Sequence, residues 1–241
     1  MALNLVMLGP PGAGKGTQAE RFAREHRIPK VSTGDILREA VHSGSDLGRA
    51  VEAMMERGEL VGDDLIIGIV RERLLRDDAL AGFVLDGFPR TATQATALDS
   101  ITASRGPVIC VEVQVPDEEL VRRVRGRRVC QDCGANADAF EHTPDALSEL
   151  CQNTQQCRTT GPPWVARSDD SEAVVRERLK VYWRDTRPMI EYYSARPTFR
   201  VIDGQQSPEQ VREALVGAVA SALGLPVAQL SSRATRPGAQ T

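Results

Sequence analysis

The clearest chemistry in the sequence lies near its start, in Gly9-Pro10-Pro11-Gly12-Ala13-Gly14-Lys15-Gly16-Thr17. Closely spaced glycines let successive backbone N–H groups turn inward around an anion with several oxygens. Lys15 adds a compact, mobile charge able to reach the far end of a polyphosphate. An apolar run, Leu3 to Leu8, enters this stretch, and a helical pattern from Gln18 to Glu25 leaves it. A helix starting here places about half a positive charge at the same point. Strand, glycine loop and helix therefore form a polyphosphate-binding unit, with Gly12, Ala13, Gly14, Lys15, Gly16 and Thr17 as its contacts. The hydroxyl that serves Mg²⁺ usually follows the lysine directly. Here Gly16 intervenes and Thr17 comes second.

A second group is Phe83-Val84-Leu85-Asp86-Gly87-Phe88-Pro89-Arg90. A buried strand ends in a carboxylate, then a glycine, then an arginine. Ligands of doubly wound sheets gather at the C-terminal ends of strands. If the two strands are neighbours, Asp86 lies beside the glycine loop and orients Mg²⁺ or its waters. Arg90 then reaches an acceptor phosphate. Gln94, four residues on, carries an amide that can pair with the N1 and N6 edge of adenine. Arg123 and Arg127 are spaced i and i+4, so they are expected on one helix face. Arg167 and Arg178 bracket Asp169-Asp170, which reads equally as a helix cap or as partners for arginines.

The elements that must hold these groups alternate. Leu3–Leu8, Phe83–Asp86 and Pro107–Val115 read as buried parallel strands, short and continuously apolar. Pro29–Ser32 is a short strand or turn, and Thr198–Asp203 is the last strand. Ser32-Thr33-Gly34-Asp35 opens a helix with Thr33 as a cap residue and Arg38 one turn further on. Helices are expected at 46–57, 63–76, 117–128, 171–184 and 208–223. Cys110, inside a strand, reads as a small core residue.

Composition removes several classes. The chain of 241 residues carries a net charge of −3, which gives no bulk attraction to nucleic acid or anionic membranes. No apolar run approaches the length of a membrane span. The N-terminal apolar residues run straight into the glycine loop, so a cleaved signal would destroy the site; a cytoplasmic location is expected. Lys15, Lys30 and Lys180 are the only lysines, and the other basic residues are arginine, a planar bidentate phosphate donor.

Ser-Thr-Gly-Asp-x-Leu-Arg, following Gly-Lys-Gly-Thr and followed by Asp-Gly-Phe-Pro-Arg, resembles the adenylate kinases. With Arg-x-Asp-Asp and Val-Arg-x-Arg-Leu downstream, the resemblance spans about residues 3–224. It implies an α/β fold: a P-loop NTPase-like five-stranded parallel sheet with helices on both faces. The implied core is 1–31, 62–126 and 167–224, with an NMP-binding insert at 32–61 and a lid insert at 127–166. Residues 225–241 would be a disordered tail. The implied reaction is reversible phosphoryl transfer from Mg·ATP to AMP, giving two ADP, in a monomer with no nucleic-acid or membrane partner. Thr33, Arg38, Glu59, Val61, Gly87, Arg90 and Gln94 would hold AMP. Arg123 and Gln206 would lie at the ATP adenine, where many relatives have lysine for Gln206. Lys15, Arg90, Arg127, Arg167 and Arg178 would clamp the phosphates, the last two on the acceptor side as well. UMP/CMP kinases carry asparagine at Gln94 and alanine at Thr33, so the AMP reading rests largely on that pair. A GTP:AMP or UMP/CMP kinase is the nearest rival.

The insert holds four of the five cysteines: Cys130-x2-Cys133, 17 residues, then Cys151-x5-Cys157. Many adenylate kinases carry paired knuckles here around one structural Zn²⁺. The first knuckle fits, and the second is three residues too long. A tetrahedron of four thiolates can close if the longer loop bulges. A metal-free lid and disulfides, which a cytosolic compartment disfavours, are the alternatives. His142 could replace a cysteine. About 40 polar residues with almost no core would gain the missing stability from a metal. A nucleic-acid-binding zinc module is the other rival, and the acidic balance of 127–170 opposes it.

Overall fold

The computed structural model describes residues 2–130, 136–138 and 164–230. Five parallel strands form the main sheet: β1 (Leu3–Leu8), β2 (Lys30–Ser32), β3 (Gly82–Asp86), β4 (Val108–Gln114) and β8 (Phe199–Asp203), in the order β2-β3-β1-β4-β8. The register sets Met7 beside Asp86 and Asp86 beside Ser32. The end of the first strand, the acidic end of the third and the start of the Ser32 helix therefore meet at the C-terminal end of the strands.

Strand residues alternate between two apolar layers, as a period-2 strand requires. On one face Leu5, Met7, Val84, Ile109 and Val111 meet α1 (Lys15–His26), α6 (Asp117–Gly126), α7 (Glu172–Val181) and α9 (Pro208–Leu223). On the other, Val6, Leu8, Phe83, Leu85 and Cys110 meet α4 (Asp63–Leu74), α5 (Ala92–Thr102) and α8 (Arg187–Ser194). α2 (Thr33–His42) and α3 (Asp46–Glu56) pack on each other, and Leu37 and Val51 anchor them to this second layer. Cys110 is fully buried, and burial pushes its thiol up to about 12. The five-stranded parallel sheet with helices on both faces is the fold expected from the sequence.

Four local expectations are corrected. α2 is capped by Ser32, whose Oγ accepts from the N–H of Asp35. Thr33 instead starts the helix and spends its hydroxyl on the Gly87 carbonyl at 2.9 Å. α6 ends at Gly126, and Arg127 is extended, opening β5 (Arg127–Cys130); Arg123 and Arg127 share no helix face. The helix expected over 171–184 continues through a π-helical stretch, Tyr182–Thr186, into α8, which was not read from the sequence. Finally, the chain expected to be a tail from 225 is structured through Leu230. That side chain is buried in the first apolar layer, and its N–H donates to the Pro226 carbonyl.

β5 pairs antiparallel with β6 (Asn136–Asp138) and β7 (Trp164–Val165) in a separate three-stranded sheet. Cys130 is buried at the end of β5, in register with Trp164. Cys133, Cys151 and Cys157 lie outside the described residues, as does His142.

Candidate active site

The glycine loop is shaped by close approach. Gly12 has φ +88°, and a Cβ there would sit 2.8 Å from the Val124 methyl and 3.1 Å from the Leu120 carbonyl of α6. α1 begins at Lys15, three residues earlier than its side-chain pattern suggests, with left-handed Gly14 as its N-cap. No side chain caps this end, so its orphan N–H groups face the cleft. Gly16 lies against Asp86: a Cβ would be 3.2 Å from Oδ2. A larger residue directly after the lysine would press on that carboxylate.

The loop lines a cleft of about 660 Å³ together with Asp86, Arg90, Arg123, Arg127, Arg167, Arg178 and the turn Gly204–Pro208, including Gln206. A smaller recess of about 60 Å³ shares Arg38, Gly87, Arg90 and Arg178 with it and is closed by Thr33, Glu59, Val61 and Gln94. The structure thus brings together the groups expected from the sequence from eight separate segments of chain. Glu59 reaches the recess, but its carboxylate is turned outward onto Arg57.

The cations differ in how they are held. Lys15 Nζ donates to the Pro10 carbonyl at 2.8 Å. Burial lowers its ammonium to about 8; Asp86 opposes the shift, and Arg90, Arg178 and Arg127 add to it. Arg90 Nε donates to the Gly87 carbonyl at 2.8 Å, and burial, with Arg178 beside it, brings this guanidinium down to about 10. Gly87 makes the turn at φ +80°, and a Cβ there would press on Arg90 and Thr33. Arg167 donates to Asn136 Oδ1 at 3.0 Å and is likewise lowered to about 10, by burial and then by Arg127.

Other arginines sit on carboxylates. Arg127 is bidentate to Asp170, whose side chain is 2% exposed. Arg178 donates to Asp169 Oδ2 at 2.9 Å, and Arg38 stands 3.6 Å from the same atom. Burial raises Asp169, but Arg178 and Arg38 together hold it below the usual carboxylate range. Arg38 also pairs with Asp35, which Lys30 meets at 3.2 Å. Arg123 joins Glu119 to the Gly204 carbonyl, both at distances under 3 Å (2.7 and 2.8 Å).

Gln94 is 2% exposed, and its amide is half used. Nε2 donates to Asp63 Oδ1 at 2.8 Å, and Oε1 accepts from the Arg90 N–H at 2.8 Å. One N–H and one lone pair remain. Asp63 and Glu119 were missed by sequence reading; the resemblance places the Asp203–Gly204 backbone at the ATP adenine, but not as the acceptor for Arg123. An acid opening α4 or α6 reads only as dipole compensation, and a carbonyl partner leaves no trace in residue type.

Such an arrangement can hold a polyphosphate on backbone N–H groups and Lys15, a second phosphate on Arg38 and Arg90, and a base against Gln94. A family model described as adenylate kinase matches residues 7–198. The chain is 44% identical over 211 residues to a protein of Archaeoglobus fulgidus named adenylate kinase, covering 87% of this chain and 94% of that one. It is 44% identical over 224 residues to the adenylate kinase of Moorella thermoacetica (92% and 98%). To that of Rhizobium etli it is 42% identical over 213 residues (87% and 95%).

Proposed function

This chain belongs to the adenylate kinase family, and we propose that its two connected cavities take Mg·ATP and AMP and exchange one phosphoryl group, giving two ADP. The observation that carries the reading is the meeting of both cavities at Arg90 and Arg178. A phosphoryl group passing between the nucleotides stays within reach of the same guanidiniums. The transfer is direct, with no covalent enzyme intermediate. Such a reaction asks for positioning and charge neutralisation more than for covalent chemistry.

In this reading the residues 9–17 loop and Lys15 hold the donor phosphates, and Arg123 and Gln206 stand at the donor base. Thr33, Arg38, Gly87, Arg90 and Gln94 hold AMP, with the Glu59–Val61 backbone and the Val61 side chain against its base and ribose. Arg127, Arg167 and Arg178 neutralise the moving group. Adenylate kinases use Mg²⁺ with ATP, and the ion supplies charge neutralisation at the phosphate oxygens. Asp86 and Thr17 are oxygen donors of the kind it takes. Residues 32–61 form the AMP-binding insert and 127–166 the lid, whose closure excludes the water that would otherwise hydrolyse ATP. The test is a donor and acceptor panel. ATP with AMP should give ADP at least tenfold faster than GTP with AMP or ATP with UMP or CMP. A preference for UMP or CMP would replace this reading with the pyrimidine one.

We also propose structural zinc on Cys130, Cys133, Cys151 and Cys157. The buried position of Cys130 at the end of a short three-stranded sheet supports it: so small a sheet gains from a fixed cross-link. Metal analysis should give one zinc per chain, with chelation lowering Tm more than initial rate. No metal, with the same Tm before and after chelation, would remove it. A monomer in the cytoplasm is part of the same proposal, as the family resemblance implies. No helix among the described residues is long and apolar enough to cross a membrane.

A further inference from the structure

We infer that Asp63 is a positioning residue that fixes which way the Gln94 amide faces, and so makes the acceptor site select 6-amino over 6-oxo purines. The inference rests on the reading of Gln94 as the group that meets the acceptor base.

An amide is nearly symmetric in shape, so sterics alone leave its oxygen and nitrogen interchangeable. Its partners decide. A carboxylate only accepts and a backbone N–H only donates. Asp63 Oδ1 therefore demands Nε2, and the Arg90 N–H demands Oε1. Asp63 is itself held: its Oδ2 accepts from Thr91 Oγ1 at 2.9 Å, and that same hydroxyl accepts from the Gln94 N–H at 3.2 Å. The ring of bonds ties the start of α4 to the start of α5 and closes on the amide. Gln94 faces the small recess, whereas Asp63 is not among its walls, so Asp63 acts through Gln94.

The locked amide presents its remaining N–H and lone pair in one fixed order. Adenine offers an N1 acceptor and a 6-amino donor. Hypoxanthine offers the reverse, an N1–H donor and a 6-oxo acceptor. To pair with the second base at the same place, the amide must rotate by half a turn, against both Asp63 and the Arg90 N–H. A site built to hydrogen-bond one pattern rejects its opposite strongly, because buried groups are left unpaired.

The probes are AMP and inosine monophosphate, with ATP as donor, on the full-length chain. The quantity read is the ratio of their kcat/KM values in wild type, Asp63→Asn, Asp63→Ala and Gln94→Ala. Asp63→Asn keeps the shape, but its amide can serve Gln94 in either orientation. The expected result is a fall of about tenfold in the AMP/IMP ratio for Asp63→Asn, through KM, with the KM for ATP unchanged. Asp63→Ala, which leaves only the Arg90 N–H, should fall at least as far. If Gln94→Ala collapses the ratio while folded Asp63→Asn and Asp63→Ala keep it, the positioning role is wrong and the Gln94 reading stands. If Gln94→Ala also keeps the ratio, both are wrong. A drop in Tm and kcat at constant ratio in the Asp63 variants would make Asp63 merely structural.

Discussion

The two sides of the cleft hold their positive charge by opposite means. On the floor, formed by the glycine loop and the turn after β3, Lys15 and Arg90 are half-buried and bonded to backbone carbonyls. On the roof, formed by Arg127 and residues 167–178, Arg127 and Arg178 are bonded to Asp170 and Asp169. A carbonyl dipole offsets only part of the cost of burying a cation, so the floor is electrostatically unsatisfied and its groups shift toward their neutral forms. Arg127 and Arg178 are neutralised in advance, whereas Arg167, on the neutral Asn136 amide, resembles the floor. An incoming phosphate relieves stored cost on the floor, but on Arg127 and Arg178 it must compete with a carboxylate already in place. Affinity for phosphate is thus concentrated on the floor, and the roof contributes to the stability of the empty protein as well.

That contrast can be broken at several points. Lys15→Met should lower kcat by about 10³-fold, the scale of removing a preorganised group at developing charge. Its Tm should stay at or above wild type, since a costly half-buried charge goes with it. A large loss of Tm would show that the floor is structural after all.

The roof should respond in the opposite sense. Asp170→Ala leaves Arg127 without its bidentate partner and should cost about 3 kcal/mol of stability by denaturant unfolding. An unchanged midpoint would mean the pair contributes nothing to the empty protein.

The pH dependence sharpens the same point. Burial lowers Lys15 to about 8, below its unfolded value, and bound phosphate favours the charged form. Binding therefore takes up a proton above that pH. The affinity for ATP should be constant below about pH 8 and weaken toward tenfold per pH unit above it, about 1.4 kcal/mol per unit. Calorimetric titration across pH 7–9, below the range of Arg90 and Arg167, reads this directly, and Lys15→Met should abolish the slope. Folding stability moves the other way over the same range: the unfolded chain holds the proton longer, so stability rises with pH between about 8 and the unfolded value. The smallest effect belongs to an ion pair on neither side. Asp46→Ala, facing exposed Arg49 on α3, should change stability by less than about 0.5 kcal/mol.

What the sequence made legible follows the range over which each interaction acts. The loop at 9–17 and the Asp86–Arg90 turn were readable because neighbours in sequence build them. The sheet order then supplied the condition that β1 and β3 be adjacent. That Asp169 and Asp170 could take arginines was readable, but which arginine each takes was not. Arg127 finds Asp170 43 residues away, and Gln94 finds Asp63 31 residues back, with no local pattern to announce either. α8 escaped for a different reason. The π-helical Tyr182–Thr186 turns the chain from one apolar layer to the other: Val175 and Leu179 lie in the first, Met189, Ile190 and Tyr193 in the second. The swap between Ser32 and Thr33 shows the same limit at short range: two hydroxyls stand side by side, and a carbonyl of a distant turn decides which one caps.

Cys110 gives the protein a spectator that can be used. Its thiol sits in the second apolar layer, stays protonated at any pH an assay would employ, and lines neither cavity. A thiol reagent can reach it only when the helices that cover this face of the sheet come away. Its labelling rate is therefore a clock for that opening, readable by mass spectrometry in the same sample and at the same time as the labelling of the four cysteines beyond Gly126.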